Sequence, residues 1–173
     1  RSWWGADGNN MPRLKRFLSE VKQGITPQTL WRYEDVGHTQ EAKKTLLKYV
    51  PFEHTENVLN SVKTVGLVQR IIQIATSPKD NDIILDFFSG SATSAHAVMK
   101  QNELDEGNRR FICVQAAEPL PKPEPDFDTI FGMGLTRIRN VGREIAASSD
   151  VAKVDLGFRV LKIDTSNMKD VFY

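Results

Sequence analysis

The chain has 173 residues, 40% hydrophobic and 26% charged, with a formal net charge of +1 at pH 7. That balance suits one domain with a real core, and it excludes a chain that holds nucleic acid or an acidic substrate by bulk charge alone. Cys113 is the only cysteine, which excludes an internal disulfide or a cysteine-rich zinc site, and the apolar runs are far too short to span a membrane.

No signal-peptide pattern opens the chain, so a cytoplasmic location is expected. It begins at Arg1 rather than Met and runs into Trp3 and Trp4, which suggests a fragment or a processed chain. Residues 1–13 are rich in Gly and Asn and read as loop. Leu14, Phe17, Leu18 and Val21 share one helical face, and Gly24 is a natural stop. Arg13, Lys15, Arg16, Lys22 and Arg32 face only Glu20, so this stretch is locally basic: either a solvated helix or a phosphate-contacting face. The next stretch, broken by Pro27, reads as extended. Trp31 and Tyr33 flank Arg32 and suit the edge of a core better than a stacking platform for bases.

Residues 38–50 read as a helix with Thr39 as N-cap, halting before Pro51. Residues 52–62 are irregular. Val65, Val68, Ile71, Ile72 and Ala75 lie at helical spacing up to Ser77-Pro78. "DIILDFF" is too uniformly apolar for a sheet with one wet face and predicts a central parallel strand covered on both sides. "SATSAHAVMKQNEL" is predicted helical, with Ala95, Val98 and Met99 inward and Thr93 or Ser94 near its cap. "DEGN" turns the chain, and "RRFICVQAA" is a second strand. The result is a β-α-β unit. "EPLPKPEPD" holds four prolines and reads as an extended surface connector. Residues 128–149 form a helix weakened by Gly132, Gly134 and Gly142. The alternating "VDLGFRVLKID" closes the chain as strand.

The first strand-to-helix junction, "SGSATS", is made of tiny residues. Bulky side chains there would keep a ligand from the backbone N–H groups and the helix start; a merely tight turn needs only one or two small residues. A parallel strand's carboxyl end facing a helix N-terminus is where doubly wound folds hold nucleotide-like ligands. The dinucleotide fingerprint needs three glycines and a following acid, but only Gly90 is present and the second strand ends at Gln115. The G-K-[ST] of a phosphate loop is also absent. An adenosine-type ligand without a pyrophosphate remains, and S-adenosyl-L-methionine fits: its amino-acid end needs backbone and hydroxyl partners such as Ser91, Thr93 and Ser94.

"ILDFFSGSATSAHAV" followed by "GNRRFICVQ" resembles the cofactor region of the DNA amino-methyltransferases, most of all the modification subunit of type III restriction-modification systems, an adenine-N6 methyltransferase. "PRLKRFLSEVKQGITPQTLWRYEDVGHTQEAKK", "FEHTENVLNSVKTVGLVQRIIQIAT" and "VDLGFRVLKIDTSN" resemble the same family, so the likeness runs from about Trp4 to Asn167. The resemblance implies an α/β, Rossmann-like S-adenosylmethionine-dependent methyltransferase fold, here a partial, mostly parallel sheet flanked by helices. It implies that residues 1–50 end a target-recognition region with connecting helices, that 51–150 form the cofactor-binding half and that 151–173 add a closing strand. Asp86, Phe87, Phe88, Gly90 and Ser91 would form the loop under the methionine part of the cofactor, with one phenylalanine in the pocket and the other in the core. Thr93 and Ser94 would bind its carboxylate or amine. Ser61 and Lys63, in "LNSVKTV", would meet the carboxylate. Gln115 stands where relatives place an acid for the ribose hydroxyls.

Three departures stand out: Ala92 where the family usually has Gly, Lys63-Thr64 where Lys-Pro is usual, and the uncharged Gln115. The family's (Asp/Asn/Ser)-Pro-Pro-(Tyr/Phe/Trp) motif, which holds the flipped target base, has no counterpart among these residues, because no two prolines are adjacent. The reading is therefore the C-terminal, cofactor-binding portion of a modification subunit, inactive by itself. The whole protein would act on double-stranded DNA with a restriction subunit and a second modification subunit. A non-catalytic DNA- or partner-docking module with a degenerate cofactor site is the alternative; a nicotinamide oxidoreductase is disfavoured by the glycine count. His38, His54 and His96 are scattered without a metal-binding pattern, so no metal is expected. His96 is expected as a surface or core-edge residue rather than a cofactor contact, and Cys113 as a small buried hydrophobe.

Overall fold

A computed structural model describes residues 2–14, 17, 19, 26–148 and 154–163. The chain divides into two units, Arg1–Leu30 and Trp31–Tyr173. In the first, β1 (Ser2–Trp3) pairs antiparallel with β2 (Arg13–Leu14). Gly5 and Gly8 turn the chain between them at φ +87° and +71°, where a side chain would be strained. Leu14, expected in a helix, is thus in a strand; most of that expected helix, with Lys15, Arg16 and Lys22, lies outside the described residues.

The second unit begins with α1 (Tyr33–Val36) and α2 (Thr39–Tyr49). Tyr33 is exposed, its ring edge-on to His38, so it does not join a core edge. The α2 cap is His38 rather than Thr39: its ring Nδ1 accepts from the Glu41 backbone N–H at 3.4 Å. Ala42, Leu46, Tyr49 and Val50 recur on one face and are buried. Val50 is extended, as the clash with Pro51 requires, and ends the helix.

Helix α3 (Val65–Ala75) is capped by Thr64, whose Oγ1 accepts from the Leu67 N–H at 3.2 Å and donates to the Val36 carbonyl at 2.5 Å. One hydroxyl therefore starts α3 and ties it to the end of α1, work that a proline at this position would not do. Ile72 faces inward, but Ile71 and Ala75, expected beside it, are exposed.

Strands β3 (Ile83–Asp86) and β4 (Arg110–Cys113) pair in parallel, Ile83 opposite Arg110 and Asp86 opposite Cys113. Between them α4 (Thr93–Asp105) packs on one face, joining Ala97 and Val98 to Ile84, Phe111 and Ile72. The result is a mixed α/β arrangement, a parallel sheet flanked by helices. Among the described residues the opposite face is bare: Ile83, Leu85 and Ile112 are 51%, 59% and 49% exposed, so the expected cover on both sides is present on one only. Helix α5 (Ile130–Ser148) runs beside α4, with Met99, Ile138, Val141 and Ile145 in one cluster. Leu156 and Phe158 pack against that cluster, yet residues 154–163 form no strand, contrary to the alternating pattern.

The proline-rich connector is partly an interior element. Leu120, Glu124 and Phe127 are buried, and Pro119 bridges Thr129. Glu124 accepts from the backbone N–H of Glu53 at 2.7 Å and of His54 at 3.2 Å, and from Asn57 Nδ2 at 2.5 Å. Burial pushes its carboxyl up, but the bonds from Glu53, Asn57 and His54 outweigh it and hold the group below the usual carboxylate range. The ionised form therefore stabilises the fold at neutral pH, and that stabilisation is lost as pH falls through the carboxylate range. E124Q should lower the melting temperature at pH 7, and its deficit against the natural chain should shrink as the pH is taken down to about 3, below an ordinary glutamate pKa. A scanning-calorimetry series over that range gives both curves; a deficit that stays constant refutes the linkage.

Candidate functional site

The loop between β3 and α4 is built from its strand end upward. Asp86 closes β3, and its Oδ2 accepts from Ser94 Oγ at 2.5 Å while Oδ1 accepts from the Phe88 N–H at 3.3 Å. The carboxylate thus links strand end, loop and first helical turn. The chain then crosses toward β4: the Ser89 N–H donates to the Val114 carbonyl at 3.2 Å, and the Gly90 N–H donates to Gln115 Oε1 at 2.7 Å. Gly90 has φ +49°, and a Cβ there would meet nothing within 4 Å, so its outer side is open. Ala92, with φ 57° and ψ 40°, is left-handed too and leads into α4 without a side-chain cap. In an alanine that conformation costs about 1–2 kcal/mol, which glycine would avoid.

Phe87 and Phe88 are 62% and 83% exposed, their ring centroids 5.2 Å apart. Neither joins the core, which corrects the expectation that one would. Ser91 and Thr93 are buried, and their hydroxyl oxygens lie 3.5 Å apart, turned into the protein. There they meet Arg137 of α5. Its Nη1 donates to the Ser91 carbonyl, Ser91 Oγ and Thr93 Oγ1 at 3.2, 3.1 and 2.9 Å, and its Nε donates to His96 Nδ1 at 3.2 Å. The His96 proton therefore sits on Nε2. Burial and the Arg137 charge push His96 down to about 3, so it stays neutral; it is 2% exposed and edge-on to Tyr49, not at a surface or core edge. Cys113, partly buried at the end of β4, has its thiol pushed up to about 11 by burial and by Asp86, which disfavours the reactive thiolate.

The structure thus brings together Asp86 with Ser94, Gly90 with Gln115, and Ser91 with Thr93. Ser61 and Lys63 are exposed in the segment before α3, and no described hydrogen bond joins either to the loop. Arg137 was not among the expected site residues. Its signal was available: it falls in the stripe Met133, Gly134, Arg137, Ile138, Val141, Ile145, a charge where the helical period places buried residues.

A family model described as DNA methylase matches residues 6–118. The chain is 31% identical over 167 residues to the Mod subunit of the type III restriction-modification enzyme StyLTI of Salmonella typhimurium, covering 94% of this chain and 24% of that protein. It is 30% identical to the EcoPI Mod subunit of Escherichia phage P1, covering 90% of this chain and 23% of that protein. It is 32% identical to the type II methyltransferase M.KpnI of Klebsiella pneumoniae, covering 70% of this chain and 28% of that protein. The chain belongs to the DNA methylase family and is homologous to the Mod subunits of type III systems. It spans about a quarter of the length of these curated relatives. None of the described helices is long and apolar enough to cross a membrane.

Proposed function

We propose that the chain is the S-adenosylmethionine-binding, C-terminal portion of a DNA adenine-N6 methyltransferase of the type III modification-subunit kind. The observation that carries this reading is the loop itself: open backbone at Gly90, a carboxylate fixed at the strand end, and the start of a long helix, in a chain of this family. The residues present fit such a cofactor. Asp86 offers a carboxylate to its ammonium group, the exposed Phe87 and Phe88 offer apolar faces to its nucleoside, and α4 directs its positive end toward its carboxylate. Ser61, Lys63 and Gln115 complete the proposed set, Gln115 as an uncharged partner for a ribose hydroxyl. Ser91, Thr93 and Ser94 act from within the loop, since their hydroxyls are engaged by Arg137 and Asp86.

When bound, the cofactor supplies an electrophilic methyl group on sulfur. The chain's part is to bind, orient and partly desolvate it. The base-holding Pro-Pro motif is absent from these residues, so in this reading other residues of a longer protein hold the adenine, and the partners are double-stranded DNA, a restriction subunit and a second modification subunit. The chain alone should leave DNA unmethylated.

Calorimetric titration with S-adenosylhomocysteine tests the proposal. Saturable heat is expected at up to millimolar ligand, none with a nicotinamide dinucleotide, and D86A should weaken binding by about tenfold or more, or about 1.4 kcal/mol. Absence of both heat and thermal shift with the natural chain would favour the docking-module reading instead.

A further inference from the structure

The buried guanidinium of Arg137 has no ordinary packing rationale. It is 0% exposed, and among the described residues no carboxylate forms an ion pair with it. Among the described residues its Nη2 has no hydrogen-bond partner. Burial brings it down to about 10, opposed only by the nearby Tyr49 phenol and by no carboxylate. A buried cation without a counterion is costly, and a methionine or leucine would fill a similar volume without that penalty. What an apolar side chain cannot do is donate hydrogen bonds.

All the donors that Arg137 uses go to one place. Nη1 serves the Ser91 carbonyl and the Ser91 and Thr93 hydroxyls, and Nε serves His96 on the first turn of α4. Three residues earlier on the same helix face, Gly134 brings the α5 backbone against the loop: a Cβ there would stand 3.1 Å from the Gly90 carbonyl oxygen and 3.3 Å from Ala92 Cβ. The two loop residues that meet Gly134, Gly90 and Ala92, are both left-handed. An unconstrained loop would relax such strain, and free serine and threonine hydroxyls would turn toward water.

We propose that Arg137 is the positioning residue of the β3–α4 loop. It draws the Ser91 and Thr93 hydroxyls inward, so that the loop's outer side is left as bare backbone for a ligand. It acts through the loop and does not itself touch the ligand. This rests on the functional reading for its purpose, but the conformational claim stands separately and is measured separately.

The experiment uses the 173-residue chain with R137M and R137K, following amide hydrogen exchange at residues 89–94 by NMR and affinity for S-adenosylhomocysteine by calorimetry. R137M removes the donors and keeps the bulk. It should melt near the natural chain, yet exchange at Ser91–Thr93 at least about tenfold faster, and lose at least about tenfold in affinity. R137K, which keeps one charged donor, should fall between the two in both readouts. If the natural chain binds no S-adenosylhomocysteine but loop exchange still accelerates in R137M, the positioning role is upheld and the cofactor reading falls. If R137M has natural loop protection and natural affinity, the side chain is a core filler and the proposal is overturned. Should R137M fail to fold, R137K decides: intermediate protection upholds the proposal, natural behaviour in both readouts overturns it.

Discussion

Shortening Leu46 to alanine should lower the unfolding free energy by about 3 kcal/mol, within the roughly 2–5 kcal/mol typical of emptied leucine sites. Leu46 is 0% exposed at the centre of a cluster with Ala42, Val50, Val62, Leu120, Phe127 and Met133. These come from α2 and the residue that ends it, the segment before α3, the connector and α5, parts of the chain separated in sequence that cannot all close in on one vacated site. Both the lost transfer energy and the cavity therefore count. Urea unfolding followed by circular dichroism measures it: the midpoint should drop while the slope is kept. A loss under 1 kcal/mol would mean that these four parts collapse readily, and that this cluster is not a packed core.

Gly134→Leu should combine a stability loss with a functional one. The first atom of the new side chain already meets the Gly90 carbonyl, which is backbone and cannot swing aside. Overpacking of this kind costs about 1–3 kcal/mol. Because the obstacle is the loop, the loop should shift and S-adenosylhomocysteine affinity should fall by more than the melting temperature suggests. Gly142→Ala on the same helix is the control. There the new methyl would lie 3.2 Å from Met99 Cε, the far end of a flexible side chain. With that contact relieved, replacing a mid-helix glycine gains up to about 1 kcal/mol. Calorimetric binding and thermal melts on both variants should give opposite signs of stability change; equal behaviour would contradict the close approach of α5 to the loop.

Helices α2 and α4 and the strands β3 and β4 were legible because their patterns survive in the fold: Ala42, Leu46 and Tyr49 are buried on α2, and Ala95, Val98 and Met99 on α4, whereas α1 and the β1–β2 pair were not foreseen. The loop was legible because a tight turn alone needs only one or two small residues, and here six follow one another. Other features depend on neighbours, which a single stretch does not encode. "DIILDFF" is apolar on both faces, and nothing within it says whether a second layer is present. Residues 154–163 alternate as a strand does, but a strand needs a partner edge; Leu156 and Phe158 find a helix face instead, and Leu161 and Ile163 remain 84% and 88% exposed. In the loop, Asp86 lies at the strand end and Gly90 in the turn, as the sequence led one to expect. The inward turn of Ser91 and Thr93 was not, because it is imposed by a residue more than forty positions away.

Helix α5 carries three glycines, at 132, 134 and 142, each less favourable than alanine by about 1 kcal/mol in a helix interior. Left to itself the segment should be only weakly helical, since helices in proteins draw most of their stability from tertiary packing rather than from propensity. It coils because α4 and the loop give it a surface to lie on, while the loop in turn takes its shape from α5. Each is the template for the other, across contacts 41 to 46 residues apart. Such distant pairings are closed late in folding, after local helices have nucleated. The shape of the loop is therefore expected among the last features the chain acquires and among the first it surrenders on warming.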